Sequence, residues 1–249
     1  MVAACALLAA VSLLVQLRLL ANWDKSALEW IVAHRVGEAS DVMNWVFRLG
    51  FAQLDAAIAV IWAAWALIGS ESRSRSQRRT VPATQGNPWI SLRTRMIPLA
   101  PLMVFVVIGV QAGLRLVINQ PAPGAAYELH REYSSEPVGL TLDRTDAAAR
   151  EAFATATAIQ ATPISARGSY PSGHASRVLF LSLLATRTVR GRGKVSRATR
   201  TAVVVLPTAL VGYSALYFGY HWPSDLLGGA LLALAIYAAV EHLAARIRR

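Results

Sequence analysis

The sequence predicts an all-α fold: a six-transmembrane helical bundle with short outer interfacial helices, forming one integral membrane domain over residues 1–249. Three observations predict it. The chain is 55% hydrophobic and only 16% charged, with a mean hydropathy of +0.40, whereas soluble domains carry about 25% charged residues. Apolar runs approaching the ~20 residues that cross a bilayer recur along its whole length. Basic residues crowd into alternate connections between those runs.

The expected spans are about 2–21, 52–69, 97–118, 174–188, 201–219 and 225–245. The first, opening "MVAACALLAA", has no basic leader and is interrupted by Arg18, so it reads as a retained helix rather than a signal peptide. Cys5 is the only cysteine, which excludes an intramolecular disulfide, and reads as a small apolar helix residue. Residues 22–50 are mixed. Leu28, Ile31, Val32 and Val36, then Val42, Met43, Val46 and Phe47, recur at helical spacing, which predicts short amphipathic helices in the outer interface with Trp30 and Trp45 at headgroup level.

Residues 71–96, rich in Ser and Arg with Pro82, Gly86 and Pro88, are expected to be a mobile loop. Residues 119–173 are too long for a mere connection. Within them, 143–160 is alanine-rich with Thr145 placed as an N-cap, which predicts one surface helix. It reads as a surface excursion or as a lid over a site. The chain has no internal repeat.

The net charge of +11 is organised by topology. Between spans two and three lie Arg73, Arg75, Arg78, Arg79, Arg93 and Arg95 against Glu71 alone. Between spans four and five lie Arg187, Arg190, Arg192, Lys194, Arg197 and Arg200 with no acid. The alternate connections differ: 119–173 carries four Arg and six acids, and 220–224 carries no charge. This positive-inside pattern predicts cytoplasmic termini and an extracytoplasmic site; the expected location is a bacterial plasma membrane. It also disfavours a nucleic-acid partner, since the cations alternate with spans instead of forming one face.

Three polar clusters then fall at span ends on that outer side: "RLVINQPAPG" at 115–124, "PSGH" at 171–174 and "SALYFGYHWPSD" at 214–225. Ser172 is placed to cap a helix with Gly173 and His174 in its first turn. Free amides there bind anions, and Gly173 leaves room for a phosphate to approach them. His174 is then a candidate proton donor. Pro223 fits a first helical position with Trp222 as N-cap, and Asp225 in that turn could orient His221. A purely structural reading also fits each: a cap, a dipole partner and interfacial histidines. Arg115, near the outer end of span three, is a functional candidate by its depth, or a headgroup-snorkelling cation. With no cysteine cluster and five scattered histidines (His34, His130, His174, His221, His242), no metal site or cofactor is expected.

Together these residues resemble the type 2 phosphatidic acid phosphatase superfamily, the lipid phosphate phosphatases related to vanadium haloperoxidases. Its signature is K-x6-R-P, then P-S-G-H, then S-R-x5-H-x3-D. Here the first part reads Arg115, six residues, Ala122, Pro123; the second, Pro171 to His174, is intact; the third reads Ser214, Ala215, five residues, His221, three residues, Asp225. The resemblance implies that His221 attacks phosphorus and forms a phosphohistidine, with Asp225 orienting it and His174 protonating the leaving oxygen. Ser172, Gly173 and Arg115, the last standing where the family usually has Lys, would hold phosphate oxygens.

Two family arginines are Ala122 and Ala215 here. Hydrogen bonds to charged groups contribute about 1.5–3 kcal/mol each, so losing both weakens a phosphate site unless something replaces them. Arg177, one turn beyond His174, is the nearest candidate, with Arg131 and Arg167 on the long outer loop. The expected function is therefore a membrane lipid phosphate or polyprenyl (di)phosphate phosphatase. Transfer of the phosphoryl group to a lipid or sugar hydroxyl is a second reading, and a non-catalytic phosphate-lipid binder of the same fold a third.

Overall fold

A computed structural model of the chain describes residues 2–78, 100–118, 120–123, 168–190 and 196–246. Among these every regular element is helical, with no strand. The helices are α1 (Val2–Gln16), α2 (Ala21–Ala33), α3 (Ser40–Arg48), α4 (Ala52–Arg78), α5 (Val104–Val117), α6 (Gly173–Arg190), α7 (Arg197–Tyr217) and α8 (Pro223–Arg246). Short 3-10 turns at Gly37–Ala39 and Ala100–Met103 precede α3 and α5.

The first expected span is shorter than its apolar run. A left-handed turn at Arg18 (φ 56) ends α1, and α2 leaves at 88° to it. α3 and α4 are likewise bent by 50°. The expected loop at 71–96 begins later than its composition suggests, because α4 continues through Arg78. The helix expected at 143–160 and its cap Thr145 lie outside the described residues, as do Arg131 and Arg167.

Among the described residues, helix length and apolarity alone give fewer crossings than the six expected. By length and apolarity α7 and α8 can each cross a membrane, or up to four spans if each bent helix pair counts as one. α5 belongs to a shorter apolar helix, Pro101–Val117. The physical reason α6 falls outside that count is its position. Residues 173–182 are all buried, and α6 packs against α4, α5, α7 and α8. A helix enclosed by protein need not be apolar against lipid, and α6 buries Ser176, Arg177, Ser182 and Thr186.

The core forms around this central helix. Leu179, Phe180, Leu181 and Leu184 of α6 meet Ala59 of α4, Val104 and Val107 of α5, and Leu232 and Ala233 of α8. α2 and α3 form as the helical periodicity predicts, with Trp30 and Trp45 exposed. Their inner faces are specific, however: Asp24, Leu28 and Phe47 are buried. The connection between these helices is fastened to the last turn of α7. Tyr217 donates its hydroxyl to the Val36 carbonyl at 2.8 Å and lies 2.9 Å from the Ser40 hydroxyl, and Arg35 sits over its ring. The two short helices thus cap the end of the bundle where α6 and α8 begin.

Candidate active site

The α7–α8 corner is built by local rules. α7 ends in a Schellman motif: Tyr220 N–H donates to the Ala215 carbonyl and Gly219 N–H to that of Leu216, both at 2.9 Å. Gly219 supplies the left-handed residue this requires, at φ +68. The chain reverses and α8 starts at Pro223 with Trp222 as its cap. Asp225, three residues into the helix, reaches back to accept the Trp222 N–H at 2.8 Å, as in a capping box. The same oxygen lies 3.2 Å from His221 Nδ1. Cap and histidine orienter are therefore one carboxylate, which is fully buried.

The α6 head is built similarly. Ser172 Oγ accepts the Ala175 N–H at 3.4 Å, while the amides of Gly173 and His174, at the first two helical positions, have no intrahelical acceptor. The two heads are joined directly, Ser172 N–H donating to the Asp225 carbonyl at 2.9 Å. His174 consequently faces His221, ring centroids 5.6 Å apart. On its other side His174 stacks on Phe47 at 4.4 Å and 22°. Phe47 in turn stacks on Tyr220 at 4.6 Å.

The first polar cluster arrives at the same place. Trp222 Nε1 donates to the Pro121 carbonyl at 2.8 Å, and Ser169 N–H donates to that of Gln120 at 2.8 Å. Arg115, in the last turn of α5, makes one long contact, Nη2 to the Ser169 carbonyl at 3.4 Å. All three motifs thus meet at one end of the bundle. Buried polar atoms there with no hydrogen-bond partner among the described residues include Arg115 Nε, His174 Nε2, Asp225 Oδ1 and Gln120 Oε1. Such groups are rare in folded proteins.

The fate of the two alanines differs. Ala122 is half-buried between Pro121 and Pro123. Ala215 is wholly buried against Phe47, with Phe51, Phe218, Tyr220 and Leu226 packed around it. Arg177 is buried and extensively committed: Nε donates to Asp55 Oδ2 at 2.8 Å, Nη1 to Gln111 Oε1 at 3.1 Å and Nη2 to the Gly50 carbonyl at 2.7 Å.

Burial lowers the His221 pKa below its ordinary value; Asp225 opposes that shift, and Arg115 and Arg177 reinforce it. The ring is therefore neutral near pH 7, with Nδ1 tied to Asp225 and Nε2 available. That is the state a histidine nucleophile needs.

Sequence reasoning missed three residues of this end. Asp24, on α2, accepts the Ser224 N–H at 2.8 Å and the Ser224 hydroxyl at 2.6 Å; Gln120 Nε2 approaches it at 3.4 Å. It caps α8 from another helix, and nothing in its local sequence separates it from an ordinary first-turn acid. Asp55 and Gln111 hold Arg177. A lone carboxylate in the apolar run 52–69 was a legible signal; Gln111 carried none.

Beyond this geometry, the family model of the PAP2 superfamily matches residues 98–249. The chain belongs to the PAP2 superfamily. The matched region holds all three motifs, while the capping helices α2 and α3 lie before it. A solved structure of similar fold is that of a transmembrane PAP2 type phosphatidylglycerolphosphate phosphatase from Bacillus subtilis. It aligns with a TM-score of 0.61 and 18% identity, covering 100% of this chain and 97% of that one. No curated protein matches the chain.

Proposed function

We propose that the protein is a membrane phosphatase that removes phosphate from a lipid phosphate or polyprenyl (di)phosphate on the extracytoplasmic face. One observation carries the reading: two buried histidines face each other, one oriented by Asp225, beside the unpartnered Nε of Arg115. His221 Nε2 attacks phosphorus. The bond from phosphorus to the leaving oxygen breaks, and that oxygen takes a proton from His174. The phosphate dianion entering beside His174 favours the protonated ring it needs. Water, giving its proton back to His174, then cleaves the phosphorus–nitrogen bond and releases inorganic phosphate.

The Gly173 and His174 amides, Ser172 and Arg115 hold the phosphoryl oxygens, with Arg177 beneath them. The membrane side is supported by helix direction. Arg78, Arg190, Arg197 and Arg246 mark the ends of α4, α6, α7 and α8 remote from the site, which fits a cytoplasmic basic end and six crossings with α6 enclosed.

The test is release of inorganic phosphate by purified protein, without added metal, from a panel of lipid phosphates. Wild type is expected to turn over and His221→Ala to fall to background. Equal, slow release by both would overturn the hydrolase reading. The enclosed Ala215, which leaves no space for a guanidinium, favours a second reading as a phosphate-lipid binder. In that case orthovanadate binds wild type while no lipid phosphate is hydrolysed.

A further inference from the structure

The Arg177 network has a geometry that a purely structural ion pair does not require. Its partners come from separate elements: Asp55 from α4, Gln111 from α5 and the Gly50 carbonyl from the α3–α4 connection. Asp55 is 2% and Arg177 5% exposed. Desolvating such a pair costs several kcal/mol per ion, so buried pairs are weak evidence of stability. The guanidinium also lies directly under the phosphate cradle. A Cβ built on Gly173 would collide with Arg177 Nη1 and with the Gln111 amide. Gly50, whose carbonyl Arg177 holds, borders the His174 ring, since a Cβ there would strike His174 Cδ2 at 2.6 Å.

Resting on the phosphate-site reading above, we propose that Asp55 and Gln111 are positioning residues that fix the Arg177 guanidinium beneath Gly173, and that this cation replaces the charge absent at Ala122 and Ala215. Arginine has five N–H donors. Three are occupied by the bonds above, leaving two for an anion. Asp55 balances the charge while the site is empty, so the cation is not buried alone. Gln111 aims Nη1 without neutralising it. The family's arginines approach from the first and third motifs; here the charge comes from inside the bundle, on the helix that carries His174. No room is then needed at position 215, and an aromatic cluster occupies it.

Orthovanadate affinity tests this without requiring turnover. It is measured by calorimetry on detergent-purified wild type, Asp55→Asn, Gln111→Leu and Arg177→Lys, with thermal unfolding recorded beside it. Asp55→Asn and Arg177→Lys are expected to weaken vanadate binding about tenfold or more, the scale of one charged hydrogen bond. Gln111→Leu, which spares the ion pair, is expected to weaken it about threefold. A merely structural pair would lower the unfolding temperature and leave affinity within twofold of wild type. That result overturns the proposal, and Gln111→Leu decides it if Asp55→Asn does not fold. Failure of the phosphatase reading is seen separately, in a His221→Ala that hydrolyses as fast as wild type.

Discussion

The heads of α6 and α8 each present a histidine to the same space, but they hold it by opposite means. His221 is held by polarity: Nδ1 meets Asp225 at 3.2 Å, and that carboxylate is itself fixed by the Trp222 amide. His174 is held by packing. Its ring stacks on Phe47 and meets the edge of Phe51, and its Nε2 has no partner among the described residues. The difference fits the roles proposed for the two histidines. A nucleophile must present one defined nitrogen and carry a partner for the charge it acquires. A general acid must keep its proton-bearing nitrogen free for an oxygen that only the substrate brings.

The strongest way to break this comparison is to make the leaving group independent of acid. General acid catalysis contributes about 10²–10⁴-fold. His174→Ala is therefore expected to lose that much against a lipid alkyl phosphate. It should lose far less against a substrate with an acidic phenol leaving group, which departs without a proton. Equal losses on both would make His174 a phosphate ligand rather than an acid. Steady-state kcat on the two substrates decides it.

A smaller effect separates orientation from nucleophilicity. Asp225→Asn is expected to lower kcat about 10–100-fold, by analogy with losing the carboxylate that orients a metal-bound imidazole. Protonated His221 cannot attack, so kcat/KM falls as pH drops through the His221 pKa. Burial places that limb below the ordinary 6.5, and Asp225 is the group that raises it. Removing the carboxylate must then move the limb to still lower pH. A shift to higher pH would show that the limb belongs to another group.

What was legible in the sequence follows the same division. The capped heads were readable because they are local. Ser172, Gly173 and His174 lie within one turn, and Trp222, Pro223 and Asp225 within another, so cap chemistry and the four-residue step from His221 to Asp225 are set by short spacings. The helical pattern of 22–50 was readable for the same reason. Its inward function was not, because Asp24 meets Ser224 across 200 residues. Nothing near Asp24 records that distance. Apolarity does not register every span, because it reports contact with lipid and α6 is wrapped in protein. Arg177 was found from its nearness to His174, but its restraint by Asp55, Gln111 and Gly50 is tertiary.

The smallest expected effect concerns the two alanines, and it sharpens the contrast between a head held by packing and one held by polarity. Ala215 is both the carbonyl of the Schellman turn that swings His221 into place and a floor for Phe47, on which His174 stacks. Overpacking a filled core costs about 1–3 kcal/mol, and an arginine there adds a charge to an aromatic cluster. Ala215→Arg is therefore expected to lower thermal stability by that amount and not to raise turnover. Ala122→Arg, at a half-buried position between prolines, should unfold at the wild-type temperature. Unfolding midpoints and phosphate release measured on both variants check this. If Ala215→Arg were as stable as wild type and faster, the aromatic cluster would be yielding space to a guanidinium, and the support for His174 would not depend on Phe47.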